Sequence, residues 1–347
     1  MEPIEGMKGW TPPGDWQRVT TIDAHAAGEP LRIILDGYPP LPGGTILERR
    51  RFLREHADEL RTSLMWEPRG HPDMYGCIVT APESPESDFG VLFLHNEGYS
   101  TMCGHGIIAV ATVAVETGLV PAVGPETRIR IDTPAGPVTA IVHSSDAGVG
   151  PVAFDNVPSW VLGLDRSVEV PGLGTVAYDL AFGGAFYAYV NAAELGLRCH
   201  PSETRALIEA GMAIKRAVMA RDTIEHPTEP ELGFLYGTIF VGPPETDGSH
   251  SRNVCVFADG EVDRSPTGTG VSGRIAIHLD RGEVELGETI HIESIIGTRF
   301  SVRATERIRF GPHDAVIPRV EGKAFVTGRH EFLIDPADPL RGGFLLR

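Results

Sequence analysis

The sequence predicts an α/β chain of the α+β kind, built as two similar domains, each a mixed, mostly antiparallel sheet wrapped around a central helix. Three observations predict it. Runs with strand character outnumber runs with helical character. Two segments share one design, Met102-Cys103-Gly104-His105-Gly106 and Asp263-Arg264-Ser265-Pro266-Thr267-Gly268-Thr269-Gly270: a small nucleophilic side chain, Gly-x-Gly, then an apolar run. Finally, 347 residues with 41 Gly and 28 Pro favour two domains of short elements joined by many turns.

The predicted strands, in order, are Val19–Ile22, Leu31–Leu35, Cys77–Thr80, Val91–His95, Arg128–Asp132, Val138–Val142, Phe186–Val190, Thr238–Val241, Val254–Phe257, Thr289–Glu293, Arg299–Ala304 and Lys323–Thr327. Each is a β-branched or alternating run bounded by turn residues. Four helices are expected. Leu47–Leu60 carries apolar residues at helical spacing amid Arg and Glu. Ser202 can cap Glu203–Val218. Ile107–Thr117 is apolar all round and stops at Gly118, as a buried helix with a glycine C-cap would. Val271–Leu279 is its shorter counterpart. The division falls near residue 165: about 1–165 with the Cys103 motif, about 166–320 with the Asp263 and Thr267 motif, and strands from about 320–347 returning to the first domain.

A formal charge of −17, with Lys only at positions 8, 215 and 323, argues against nucleic acid or an anionic membrane as partner. The N-terminus lacks a signal-like apolar core, and Ile107–Val115 is too short to span a bilayer. Four cysteines without a C-x-x-C pair read as reduced thiols of a cytoplasmic protein. Cys255, inside a strand run, is expected to pack in the core.

The first N–H groups of a helix lack internal acceptors and carry partial positive charge, so a carboxylate could sit on the Gly104 and His105 amides. The same environment favours thiolate at Cys103. Gly268 and Gly270 repeat the arrangement, and Asp263 is an anionic partner for an ammonium, a role His105 could share. Other readings of these residues remain: a metal at Cys103 and His105, or a cysteine hydrolase pairing Cys103 with His25 or His95.

Taken together, these residues resemble the proline racemase family. The likeness rests on both segments and on Ile22-Asp23-Ala24-His25, Gly28-Glu29-Pro30, Arg32, Glu67-Pro68-Arg69-Gly70-His71 and Asp73-Met74. It continues through His95-Asn96-Glu97-Gly98-Tyr99-Ser100, Phe182-Gly183-Gly184, Phe186-Tyr187-Ala188 and Gly237-Thr238. The resemblance implies a diaminopimelate-epimerase-like fold with the site in the interdomain cleft, a homodimer, and no metal or other cofactor. It implies Cys103 as the base at the substrate Cα. The substrate carboxylate would meet Gly104, His105, Gly268 and Thr269, and the ring nitrogen would meet Asp263.

One position departs from the two-cysteine pattern of the racemases and 4-hydroxyproline epimerases: Thr267 stands where the second thiol is expected. A Thr hydroxyl is a poor partner for a carbanion, so inversion is disfavoured. The Cys/Thr pair, with Val271 after it, resembles the branch that dehydrates trans-3-hydroxy-L-proline. The chemistry agrees, because the hydroxyl and the Cα hydrogen of that molecule share a ring face and one thiolate there can serve a syn elimination. The expected activity is a cofactor-independent hydro-lyase yielding 1-pyrroline-2-carboxylate. The alternatives are a proline racemase or 4-hydroxyproline epimerase and, from another class, a non-catalytic imino-acid binding protein.

Overall fold

Strand-forming segments make up most of this molecule, and their pairing order occurs twice. The computed structural model describes Ile4 and residues 7–346. In chain order the elements are β1 (Gln17–Ala26), β2 (Glu29–Asp36), α1 (Ile46–His56), α2 (Asp58–Met65), β3 (Gly76–Thr80), β4 (Phe89–Leu94), α3 (Gly104–Glu116), β5 (Glu126–Thr133), β6 (Gly136–Ser145), β7 (Gly148–Asp155) and β8 (Ser159–Val170). They continue as β9 (Gly174–Phe182), β10 (Phe186–Asn191), α4 (Thr204–Arg221), β11 (Leu235–Gly242), β12 (Ser251–Phe257), β13 (Glu261–Val262), α5 (Gly268–Asp280), β14 (Ile290–Glu293), β15 (Arg299–Phe310), β16 (His313–Gly322) and β17 (Ala324–Ile334).

Pairing runs β17-β1-β2-β3-β4-β5-β6-β7, with β2–β3 and β4–β5 parallel and the rest antiparallel. It runs again as β8-β9-β10-β11-β12-β14-β15-β16, with β10–β11 and β12–β14 parallel. β16 then pairs with β8, closing the second series into a barrel, and with β7, joining it to the first. The fold is mixed α+β and mostly antiparallel, and β17 lies beside β1.

Each series wraps a helix. α3 packs on β1, β2, β6, β7 and β17, and α5 on β8, β9, β10, β15 and β16. α3 is buried from Gly104 to Ala114 and α5 from Gly268 to Leu279, as helices that are apolar on nearly every side must be. Gly118 ends α3 at φ +74°, where a side chain would be strained, and the Val120 N–H returns to the Ala114 carbonyl at 3.0 Å.

Several expectations need correction. α3 and α5 begin at Gly104 and Gly268, three residues earlier than expected, so each Gly-x-Gly forms a first helical turn. α5 is not shorter: both helices have 13 residues. The predicted helix 47–60 breaks at Ala57 (φ −141°, ψ 20°), and α1 starts under a Thr45/Glu48 capping box. Ser202 does not cap α4. It lies in a 3₁₀ turn, where its N–H donates to the His200 side chain. The expected strands also lack β7, β8, β9, β13 and β16; Gly150, Gly163, Asp165 and Pro318 interrupt the patterns of β7, β8 and β16. β8 tolerates the interruption through register shifts around Gly163.

Candidate active site

The two helices meet at their N-termini. A methyl group added to Gly104 would stand 2.5 Å from the Gly268 Cα, and one added to Gly268 would stand 2.6 Å from the Gly104 Cα. Only glycine permits this approach, and it brings two sets of first-turn amides together. Cys103 and Thr267 occupy the N-cap positions. All the residues singled out in the sequence, Cys103, Gly104, His105, Asp263, Thr267, Gly268 and Thr269, line one small cavity.

The two caps differ. Cys103 is extended (φ −146°, ψ 109°), and its sulfur accepts the Gly106 N–H at 3.3 Å. The His105 Nδ1 lies 3.2 Å from the same sulfur. Thr267 sits at φ +68°, ψ 95°, a conformation that strains a β-branched residue. Its hydroxyl does not cap α5 and is buried beside the Asp263 carboxylate and the Cys255 thiol. The loop before it is shaped locally: the Ser265 N–H donates to Asp263 Oδ1 at 2.7 Å, and the Thr267 N–H to Ser265 Oγ at 3.1 Å.

Burial dominates the electrostatics. It pushes the Cys103 thiol well above the usual range, against the lowering by the Gly106 N–H, and the Asp263 carboxylate adds to the rise. The helix end favours thiolate, in the expected direction, but desolvation outweighs it. Burial pushes His105 down to about 3, so its imidazole is neutral. Burial also lifts Asp263 to about 6, against hydrogen bonds from Ser265. Glu29, fully buried, is raised by desolvation and then by Asp263.

Sequence reasoning missed the rest of the lining: Tyr75, Met102, Tyr187, Tyr236, Cys255 and Phe257. Tyr75 packs edge-on to His105 and hydrogen-bonds Ser100, and the Tyr187 hydroxyl lies 2.7 Å from Thr269 Oγ1. Tyr187 lies within one recognisable motif and Tyr75 and Tyr236 flank two others, but a lone tyrosine beside a strand carries no signal for which face it takes. Cys255 is in the core, as expected, yet at the cavity wall. His25 and His95 are not among the lining residues.

Polar contacts also tie the two halves of the chain together beside Asp263. The Arg264 guanidinium pairs with Asp73 at 2.9 Å, the Arg264 N–H donates to Glu29 at 2.6 Å, and the Asn96 N–H donates to Glu261 at 2.8 Å. The enclosed space is about 20 Å³, room for one water and not for a five-membered ring. A larger hollow of about 730 Å³, beside Trp160 and His226, holds none of these groups. Among the described residues no cluster of three or more His, Cys, Asp or Glu could hold a metal ion, and no helix is long and apolar enough to cross a membrane.

Residues 21–345 match the family model described as proline racemase. A Colwellia psychrerythraea protein named trans-3-hydroxy-L-proline dehydratase is 51% identical over 95% of this chain and 93% of its own. A Burkholderia multivorans protein named 3-hydroxyproline 2-epimerase is 49% identical over 95% of this chain and 98% of its own. Among solved structures, a hydroxyproline epimerase from Agrobacterium vitis with bound trans-4-hydroxy-L-proline superposes with a TM-score of 0.91 at 33% identity, covering 96% of each chain.

Proposed function

The chain belongs to the proline racemase family, and we propose that it is a hydro-lyase that dehydrates trans-3-hydroxy-L-proline to 1-pyrroline-2-carboxylate without a cofactor. The observation that carries this reading is the asymmetry of the cavity: a thiol at one helix end and a hydroxyl at the other. The dehydratase named among the relatives supports it.

Parting of the Arg264–Asp73 and Arg264–Glu29 contacts would admit the ring. The carboxylate would then settle on the Gly104, His105, Gly268 and Thr269 amides, whose fixed dipoles also stabilise charge developing as the Cα proton leaves. Asp263 takes the ring ammonium, and that cation offsets the penalty that burial places on both Asp263 and a Cys103 thiolate. Neutral His105, with Nδ1 3.2 Å from the sulfur, would donate a hydrogen bond to the thiolate once the thiol proton has left to solvent. Cys103 removes the Cα proton, and the resulting thiol protonates the hydroxyl leaving from the same face. Water departs, the thiolate is restored, and the enamine tautomerises to the cyclic imine.

The reading includes a homodimer in the cytoplasm, a compartment that suits four unpaired cysteines. A two-domain division is part of it; the recurrent pairing order favours a boundary between β7 and β8, after Asp155 and before Ser159, in place of residue 165 inside β8. A second reading, C2 epimerisation, is favoured by the name of the Burkholderia relative. Proton NMR of the protein with trans-3-hydroxy-L-proline in D2O separates them. The proposal expects pyrroline carboxylate as the main product. Deuterium at Cα with inversion and no elimination would replace it with the epimerase reading.

A further inference from the structure

Of the three cysteines that the mechanism leaves unused, one faces the chemistry. Cys77 lies on β3 outside the cavity lining, and Cys199 packs against Gly242 with its thiol on the Phe240 carbonyl at 3.6 Å. Cys255 stands mid-strand in β12, opposite Ile239 of β11, fully buried, and lines the cavity together with Thr267 and Asp263. Its thiol is a neighbour of the Thr267 hydroxyl and the Asp263 carboxylate. That hydroxyl is the unusual feature. Thr267 is 5% exposed, and its side chain forgoes the capping bond that Thr at this position ordinarily makes, leaving the hydroxyl to the Cys255 thiol and the Asp263 carboxylate.

We propose that Cys255 is the proton reservoir for the cavity face opposite Cys103 and acts through the Thr267 hydroxyl, giving the protein a minor C2-epimerising flux beside dehydration. The proposal rests on the reading of the cavity given above. A hydroxyl alone serves that face badly, because donating its proton leaves an alkoxide. With a thiol behind it the charge ends on sulfur, the better anion. In the step itself, the carbanion left after Cys103 has taken the Cα proton accepts the Thr267 O–H proton from the far side. A C–H bond forms as the O–H bond breaks, and Oγ1 takes the Cys255 S–H proton in the same motion. The products are the C2 epimer, a Cys103 thiol and a Cys255 thiolate. Proton exchange with solvent on opening resets both. No electrons are transferred and no co-reactant is needed. Cys255 touches no substrate atom in this scheme; it is a positioning residue that sets what Thr267 can donate.

The test is product partition in D2O. The protein is given trans-3-hydroxy-L-proline, and the remaining amino acid is resolved by chiral chromatography with mass detection while the pyrroline is assayed in parallel. Wild type should accumulate C2 epimer bearing deuterium at Cα, as a minor fraction of turnover. Cys255→Ala should lower the epimer-to-pyrroline ratio at least tenfold while the dehydration kcat stays within about threefold. Cys255→Val, which keeps the strand packed, should lower the ratio equally. A purely structural Cys255 would reduce both products together and leave the ratio unmoved, which would overturn the proposal. Pyrroline formation by wild type without any epimer would overturn the relay and leave the dehydratase reading intact. Absence of both products would overturn the relay and that reading together.

Discussion

The N-termini of α3 and α5 have equal length behind them, the same Gly-x-Gly first turn and near-complete burial, yet their caps are opposites. Cys103 is relaxed, accepts a backbone N–H and has a neutral imidazole at 3.2 Å. Thr267 is held at φ +68° and its hydroxyl caps nothing. Pairing of the strands recurs faithfully, while the caps have diverged. What the fold repeats is the first-turn cluster of amides; what it varies is the side chain at each cap. On the proposed reading, those two side chains serve the two faces of the substrate carbon and set the reaction type.

The shared part of that comparison is broken by filling the gap between the helices. Gly268→Ala places a methyl 2.6 Å from the Gly104 Cα and must push the two ends apart. Affinity for pyrrole-2-carboxylate, measured by titration calorimetry, should fall about 100-fold, the scale of losing several charge-assisted hydrogen bonds. Unchanged affinity would mean that the two amide clusters do not act on one carboxylate.

Asp263 sharpens the comparison through pH. A carboxyl raised from 3.8 to about 6 favours the native state while protonated and opposes it once ionised, so its stabilising effect is lost as pH rises from about 4 to about 6. A shift of two units corresponds to about 3 kcal/mol. Asp263→Asn should therefore raise the unfolding free energy at pH 8 by about 2–3 kcal/mol, with the gain vanishing near pH 4, as read from urea unfolding at both values. An equal gain at both would show that Asp263 charge is not the source.

The smallest effect concerns the strained cap. Thr267→Gly relieves the positive φ and removes a buried hydroxyl, against lost packing and the flexibility of glycine. A net gain of about 1 kcal/mol is expected in the same assay. A loss of stability would show that the Thr267 side chain contributes more to packing than its conformation costs.

Much of this was legible in the sequence, because the paired segments announce themselves by composition. The strand runs with β-branched alternation, such as Val138–Val142 and Arg299–Ala304, fall inside observed strands. β8 and β16 were hidden because Asp165 and Pro318 break the alternation, and only tertiary pairing with β9, β15 and β7 holds them extended. The seven candidate site residues share one cavity because glycines at 104 and 268 dictate close approach, a steric fact readable from residue type. The tyrosines and Cys255 were hidden because lining a cavity depends on which neighbours a strand acquires. The raised Cys103 thiol was hidden for a related reason: a motif shows the helix end but not the depth of burial.

The central claim is that one thiol, on one face, carries the proton abstraction. Cys103→Ser tests it most directly, with turnover of trans-3-hydroxy-L-proline and binding of pyrrole-2-carboxylate measured on the same preparation. The account predicts turnover reduced about 1,000-fold or more, the scale of losing a positioned base, with analogue affinity within about threefold of wild type. Turnover retained within about tenfold, with binding intact, would remove Cys103 from the mechanism and contradict the account.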